Sequence, residues 1–221
     1  MAESDNTITF ERKLRELEAE NAGLKAEVQK LRTENRRWAK MAGTDALTGL
    51  PNKISFMRAL VPQAIQLASK TEDTIGFVLL SADNLGVINE THGRSARDEI
   101  LKGLGGLMQA ILGEESRLGH LDGTHFAVVL SPGTLESARG CANMLRARIC
   151  AHGFPCADET AQITVSAGIA EVNPPDQFDS RELAERTLQH LNEALYRAKV
   201  SGGNRVEACK NNELNNGKGV V

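Results

Sequence analysis

Between Phe10 and Ala42 the apolar positions return at alternating steps of three and four, and beyond Thr44 that rhythm gives way to strand-like and helix-like runs. With Phe10, Leu17, Leu24, Leu31 and Trp38 at heptad position d, position a holds Leu14, Asn21, Val28, Asn35 and Ala42. Leucine at d, with a β-branched residue and asparagines at a, predicts a parallel two-stranded coiled coil, because a buried Asn meets its symmetry mate only when the helices are in register. The flanking charges agree. Position g faces position e of the next heptad on the other chain, which pairs Lys13 with Glu18, Glu20 with Lys25 and Glu27 with Arg32, each opposite in sign. Leu17, Asn21, Leu24, Val28, Leu31 and Asn35 are therefore the expected dimerisation residues. The alternative, one amphipathic helix folded onto the domain, has no need of two core asparagines or of matched flanks.

After Thr44, residues near 52–70 have helical spacing, and "TIGFVLLSA" is an uncharged, β-branched strand. Residues 95–112 return to helical spacing. "LGHLDGTHFAVVL" then reads as a hairpin with Asp122-Gly123 at its tip, since both turn residues tolerate positive φ. That turn sets Leu121 opposite Thr124 and His120 opposite His125, with Phe126, Val128 and Leu130 turned inward. "SPGTLESARGCANMLRARICAH" opens with turn residues and continues as a helix, and "QITVSAGIAEV" alternates as a strand. Asp179 with Glu182 three residues on is a capping box that starts a long helix ended by Gly202-Gly203, with a short strand after it. Strands and helices alternating in this way predict an α+β sandwich in which helices cover a central sheet.

Composition narrows the function classes. The 221 residues suffice for one full-sized domain and an appendage, and 41% hydrophobic with 25% charged residues supports a substantial core. A net charge of −3 gives no global attraction to nucleic acid. A basic-leucine-zipper factor is excluded because "MAESDNTIT", ahead of the zipper, carries no basic residue. Cys141, Cys150, Cys156 and Cys209 have no metal-ligand spacing, so reduced thiols are expected. The N-terminus has neither the basic nor the apolar part of a signal peptide, and no run reaches the length of a membrane span. The expectation is a cytoplasmic chain without membrane insertion.

Four stretches, in order, resemble the GGDEF family, the diguanylate cyclases that join two GTP molecules into cyclic di-GMP. "DALTGLPNK" from Asp45 is similar to that family's leading signature, D-x-L-T-G-L-x-N-R. "LLSADNLGVINETHGRSARDEIL" is similar to L-L-D-I-D-x-F-K-x-I-N-D-x-x-G-H-x-x-G-D-x-x-L. "LDGTHFAVVL" stands at the naming motif, and "TVSAGIA" with "ALYRAKVSGGNRV" resembles the last strand and helix. The resemblance implies a mainly antiparallel central sheet flanked by helices, as in nucleotidyl cyclases. The expected organisation is a disordered segment 1–9, a coiled-coil helix 10–43, a degenerate GGDEF-like domain 44–206 and a disordered tail 207–221.

The resemblance also implies a chemistry: two hard cations, held by carboxylates, bridge the triphosphate and help activate the attacking 3′-hydroxyl. At the carboxylate positions this chain has Ser81 and Thr124, and hydroxyls remove about two negative charges from such a site. The acidic position after the second is His125, the phosphate-contacting lysine is Gly86, and the final arginine is Gly203. Asp122 and Gly123 occupy the two glycine positions, and Phe126 is retained. Asn89 and Asp98 match the guanine-reading residues, with helix-start capping as the alternative role. Lys199 matches a retained lysine, with a solvated helix-end charge as its alternative. The inhibitory product site would need Arg and Asp where Gly113 and Ser116 stand. Asp83 matches the family's second strand-end aspartate, and Asp122 serves the turn. His120 and His125, if opposed, form a solvent-facing pair that would need a third ligand to bind a metal.

No catalytic and no metal-ligating residue is therefore expected. The leading reading is a catalytically inactive signalling or scaffold protein, dimerised by its zipper. It would act through protein partners in a bacterial signalling complex, or through weak guanine-nucleotide binding at Asn89, Asp98 and Lys199, with no cofactor. The alternative is a weak diguanylate cyclase, or one subunit of a mixed cyclase dimer, and only that reading calls for Mg²⁺.

Overall fold

The computed structural model describes residues 17, 20–25, 27–31, 34, 42–156, 159–174 and 179–209. The chain divides into two units, Met1–Ala42 and Gly43–Val221. In the first, residues 20–25 and 27–31 are helical. Leu17, Leu24, Val28 and Leu31 are 45–55% exposed, a periodic apolar stripe without cover from its own unit. Asn21 is exposed as well. Asn35, Phe10, Leu14 and Trp38 lie outside the described residues.

The second unit begins with a loop, residues 43–52, closed by an antiparallel bridge between Thr44 and Pro51. Asn52 accepts a hydrogen bond from the Ser55 N–H and so caps α1 (Lys53–Ser55). A π-helical turn (Phe56–Leu60) carries α1 into α2 (Val61–Thr71). Then come β1 (Ile75–Ala82), α3 (Leu85–Leu112), β2 (Arg117–Asp122), β3 (His125–Leu130) and α4 (Leu135–Ala151). After these follow β4 (Gly153–Cys156), β5 (Glu159–Gln162), β6 (Val165–Val172), α5 (Ser180–Val200) and β7 (Val206–Ala208).

Five strands form one sheet in the order β2-β3-β1-β6-β7, every pair antiparallel except β6 with β7. This is the expected α+β architecture with a mainly antiparallel sheet. All eight residues of β1 are buried, since the strand is covered on both faces. Val78 and Leu80 point into a core shared with Ile100, Leu104 and Met108 of α3 and Ala142, Leu145 and Ile149 of α4. Ile75, Phe77 and Leu79 point the other way, into a core with Ala64, Ile65 and Ala68 of α2 and Leu191, Ala194 and Leu195 of α5. Gly168 on β6 is required for that second contact. A Cβ there would collide with the Leu191 carbonyl oxygen and come within 2.8 Å of the Leu195 nitrogen, so the backbone of α5 lies against the strand.

Several sequence expectations change. The hairpin turn is Gly123-Thr124, because Asp122 pairs with His125 and His120 pairs with Phe126. Leu121 falls at the irregularity between them and is buried in the α2/α5 core, so one residue of β2 has no partner and the register shifts. His120 and His125 are consequently not opposed. β3 is buried on both faces, Phe126 and Val128 against α3 and α4, Ala127 and Val129 against α2 and α5, so it does not alternate inward and outward. The helix expected from residue 95 starts at Leu85 and is interrupted at Gly93 (φ 79°), a backbone conformation that glycine adopts without strain. The pair β4–β5 was not anticipated. Asp179 does cap α5, but its carboxylate accepts from the Arg181 N–H. The first residues of the tail expected from 207 belong to the domain, because Glu207 and Ala208 lie in β7 and the Cys209 N–H donates to the Ile169 carbonyl; residues 210–221 lie outside the described residues.

Candidate functional site

Ser81 lies near the end of the central strand β1, between its register partners His125 on β3 and Ser166 on β6. Ser81 is fully buried, and its Oγ lies 2.7 Å from Oγ1 of Thr124 on the hairpin turn. The turn is held in place by the Ala82 N–H, which donates to the Thr124 carbonyl at 3.2 Å. From the last turn of α5, the Lys199 ammonium donates to Ser81 Oγ at 2.8 Å. Three residues far apart in the chain thus form one hydrogen-bonded series, ammonium to hydroxyl to hydroxyl.

Asp83, two residues further along, has a different task. Its Oδ1 accepts from Ser166 Oγ (2.8 Å), and its Oδ2 accepts from Thr164 Oγ1 (2.8 Å) and the Asn204 N–H (3.0 Å). Its own N–H donates to the Thr164 carbonyl. One carboxylate therefore ties the end of β1 to the start of β6 and to the loop after α5. A Cβ at Gly203 would stand 3.3 Å from Asp83 Oδ2, so the loop approaches this carboxylate closely, with Gly203 at φ 71°.

The outer side of the hairpin forms a second cluster. Asp122 meets Lys53 Nζ at 3.2 Å and His125 Nδ1 at 2.9 Å. Burial pushes the Asp122 carboxyl upward, but the Lys53 hydrogen bond and the neighbouring His125 outweigh it and hold the group below its ordinary range. His120 faces inward at 5% exposure, stacked on Phe126 with ring centroids 4.6 Å apart. Its Nδ1 lies 2.9 Å from Asp45 Oδ1, and its backbone N–H donates to the Pro51 carbonyl, which ties the 43–52 loop to β2. The expectation of a solvent-facing histidine pair is therefore corrected: His120 is a core residue, and His125 belongs to the Asp122 cluster.

The remaining sequence candidates are not gathered at Ser81. Asn89 is exposed within the first segment of α3, and Asp98 lies in the second, 3.1 Å from Arg97. Neither is an N-cap, since Asn84 holds that position for α3. Gly86 is exposed, and a Cβ there would meet nothing within 4 Å. Sequence reasoning missed the reach of Lys199 to Ser81, the Asp83 clamp and the Asp45–His120 contact. The hydroxyls at Thr164 and Ser166, two residues apart at the start of a strand, were the available sign that Asp83 had partners.

Hard divalent cations take carboxylate, carbonyl and water oxygens. At the Ser81 position the protein offers two hydroxyls already bonded to each other and an ammonium bonded to one of them, a set that does not suit such an ion. Among the described residues no three His, Cys, Asp or Glu side chains gather in a way that could hold a metal.

Comparison with known proteins places the fold and the site in context. The family described as "Diguanylate cyclase, GGDEF domain" matches residues 42–205. Diguanylate cyclase DgcP of Pseudomonas aeruginosa is 32% identical over 166 residues, covering 75% of this chain and 24% of its own length. A diguanylate cyclase of Vibrio cholerae is 29% identical, covering 75% and 49%. The chain thus spans between about a quarter and about half the length of these curated relatives. Among solved structures, the coiled coil and GGDEF domain of DgcB from Caulobacter crescentus, in complex with c-di-GMP, superposes with a TM-score of 0.72 at 25% identity. It covers 87% of this chain and 98% of that one. The GGDEF domain of FimX from Pseudomonas aeruginosa gives 0.66 at 25% identity, covering 74% and 98%.

Proposed function

This chain belongs to the GGDEF domain family of diguanylate cyclases, and we propose that within it the chain makes no cyclic di-GMP and acts by binding, as a coiled-coil dimer in a bacterial signalling complex. One observation carries the reading. At the position where the family resemblance calls for metal-holding carboxylates, Ser81 and Thr124 lie 2.7 Å apart with the Lys199 ammonium 2.8 Å from Ser81. Phosphoryl transfer through divalent cations needs negative charge to hold them, and this group carries positive charge instead. The one strand-end carboxylate that remains, Asp83, is occupied by three hydrogen bonds from Thr164, Ser166 and Asn204.

Dimerisation rests on the exposed stripe Leu17, Leu24, Val28 and Leu31, together with Asn21 and the matched flanking charges. The DgcB structure, described as a coiled coil with a GGDEF domain, supports the same arrangement here. Protein partners are the expected ligands, and guanine nucleotide is at most a weak one through Asn89, Asp98 and Lys199. Incubation of the full chain with GTP and Mg²⁺ or Mn²⁺, followed by product analysis, tests the reading. The expected result is no cyclic di-GMP above a protein-free blank. Turnover that disappears in Asp83→Ala would instead make the chain a weak cyclase with a relocated metal site.

A further inference from the structure

The Lys199–Ser81–Thr124 series has a consequence for ligand chemistry that goes beyond inactivity. An ammonium carries three donor hydrogens and no acceptor. One goes to Ser81 Oγ, and among the described residues the Lys199 ammonium has no other hydrogen-bond or ion-pair partner. Lys199 is itself an exposed residue, while the hydroxyl that fixes its head group is fully buried. Its cation is therefore held in place from the protein side and approachable from the solvent side. Asp83 does not cancel this charge by direct pairing, because its oxygens are taken by Thr164, Ser166 and the Asn204 N–H. Asp122 is likewise paired, with Lys53 and His125.

We propose that Lys199, held by Ser81 and Thr124, is the resident cation of this site, so that the site takes a polyphosphate anion in its metal-free form. The inference rests on the reading of Ser81 and Thr124 given above and assigns the ligand class and metal response of that same site. A magnesium-bound triphosphate carries two fewer negative charges than the free one, and the one strand-end carboxylate its metal could meet, Asp83, already accepts three hydrogen bonds. The free anion keeps its full attraction to the ammonium. Mg²⁺ then acts as a competitor for the ligand. That is the opposite of what a site built on carboxylates would show.

Titration calorimetry on the full chain, with GTP and with inorganic tripolyphosphate, in EDTA and in excess Mg²⁺, tests the proposal. Both probes should bind more tightly in EDTA. Lys199→Gln should weaken metal-free binding about fivefold, the worth of one unit-charge pair near 4 Å in water. The same variant should remove the difference between EDTA and Mg²⁺, and Lys199→Arg should keep it. Thr124→Asp, at a half-buried position of the turn, and Ser81→Asp/Thr124→Asp should reverse the sign by providing metal ligands. Mn²⁺ electron paramagnetic resonance should show bound ion in these variants and none in the parent chain. Binding that tightens with Mg²⁺, or saturable Mn²⁺ uptake by the parent chain, would overturn the proposal. So would absence of binding by both probes up to about 5 mM, weaker than −4 kcal/mol. Those outcomes leave the scaffold reading standing, whereas cyclic di-GMP production would defeat that reading by a separate readout.

Discussion

Phe126 is, with Gly123, one of the two residues of the naming motif that this chain keeps, and replacing it by alanine tests whether the hairpin survives as a structural element. Its ring is 1% exposed, in the core built with Val78, Leu80, Leu104 and Leu145. It pairs across the sheet with Leu80 on one side and His120 on the other, and stacks on the His120 ring. Phe126→Ala removes that ring and leaves a cavity that rigid neighbours on two strands can only partly close. The loss should be about 3–5 kcal/mol. For a domain of this size each kcal/mol lowers Tm by about 2–4 °C, so a drop of about 10 °C is expected. Thr124→Ala is the matched control on the same turn. It removes one hydroxyl contact while Ser81 keeps its bond from Lys199, a change of about 1 kcal/mol. Urea unfolding followed by circular dichroism, with equal m-values required for the comparison, measures both. A Phe126→Ala loss no larger than that of Thr124→Ala would refute the view that this hairpin is held by its core residues.

Two further outcomes are expected. Light scattering should find the full chain dimeric at micromolar concentration, and Leu24→Asp/Leu31→Asp should make it monomeric while preserving the circular dichroism of residues 43–209; a monomeric parent chain would refute the zipper. Burial raises the Asp45 carboxyl, but contact with His120 and hydrogen bonds from the Thr48 N–H and hydroxyl outweigh it, leaving the folded value below the ordinary 3.8. Since the folded value is the lower one, the associated stability is present above about pH 4 and is lost as pH falls through the folded value. The stability difference between parent and Asp45→Asn, from urea midpoints between about pH 3 and 7, should therefore shrink on the acid side; a constant difference would refute the assignment.

Much of the fold was legible because burial follows period. β1 and β6 read as apolar, β-branched runs, and α5 announced its start with Asp179 and its end with the Gly202-Gly203 pair. The hairpin was found, but its register was not. Asp-Gly suggests a turn at 122–123, whereas the demand of Leu121 for the α2/α5 core and of His120 for Asp45 and Phe126 moves the turn one residue along. Those are tertiary demands, which a local dipeptide preference cannot express. The start of α3 was missed because Gly86 and Gly93 weaken the helical signal in its first three turns. At the site, residue types were readable and contacts were not. The separation of 118 positions between Ser81 and Lys199 carries no pattern that announces a hydrogen bond.

The contact distances also bear on why these substitutions go together. Two carboxylates placed as close as the Ser81 and Thr124 hydroxyls would repel strongly unless cations or protons intervened. A chain that gave up only one would keep a buried negative charge with Lys199 as its remaining counterion, at a desolvation cost that such pairs offset poorly. Replacing both by hydroxyls turns repulsion into a hydrogen bond and gives the Lys199 ammonium a neutral acceptor. Asp83 survives because its role differs: three donors from Thr164, Ser166 and Asn204 satisfy it without a metal. The end of β1, the hairpin turn and the end of α5 are thereby joined by groups that need no ion between them. On the proposed reading, the same pair of residues leaves the site without metal-holding carboxylates and ties the strand end to the hairpin.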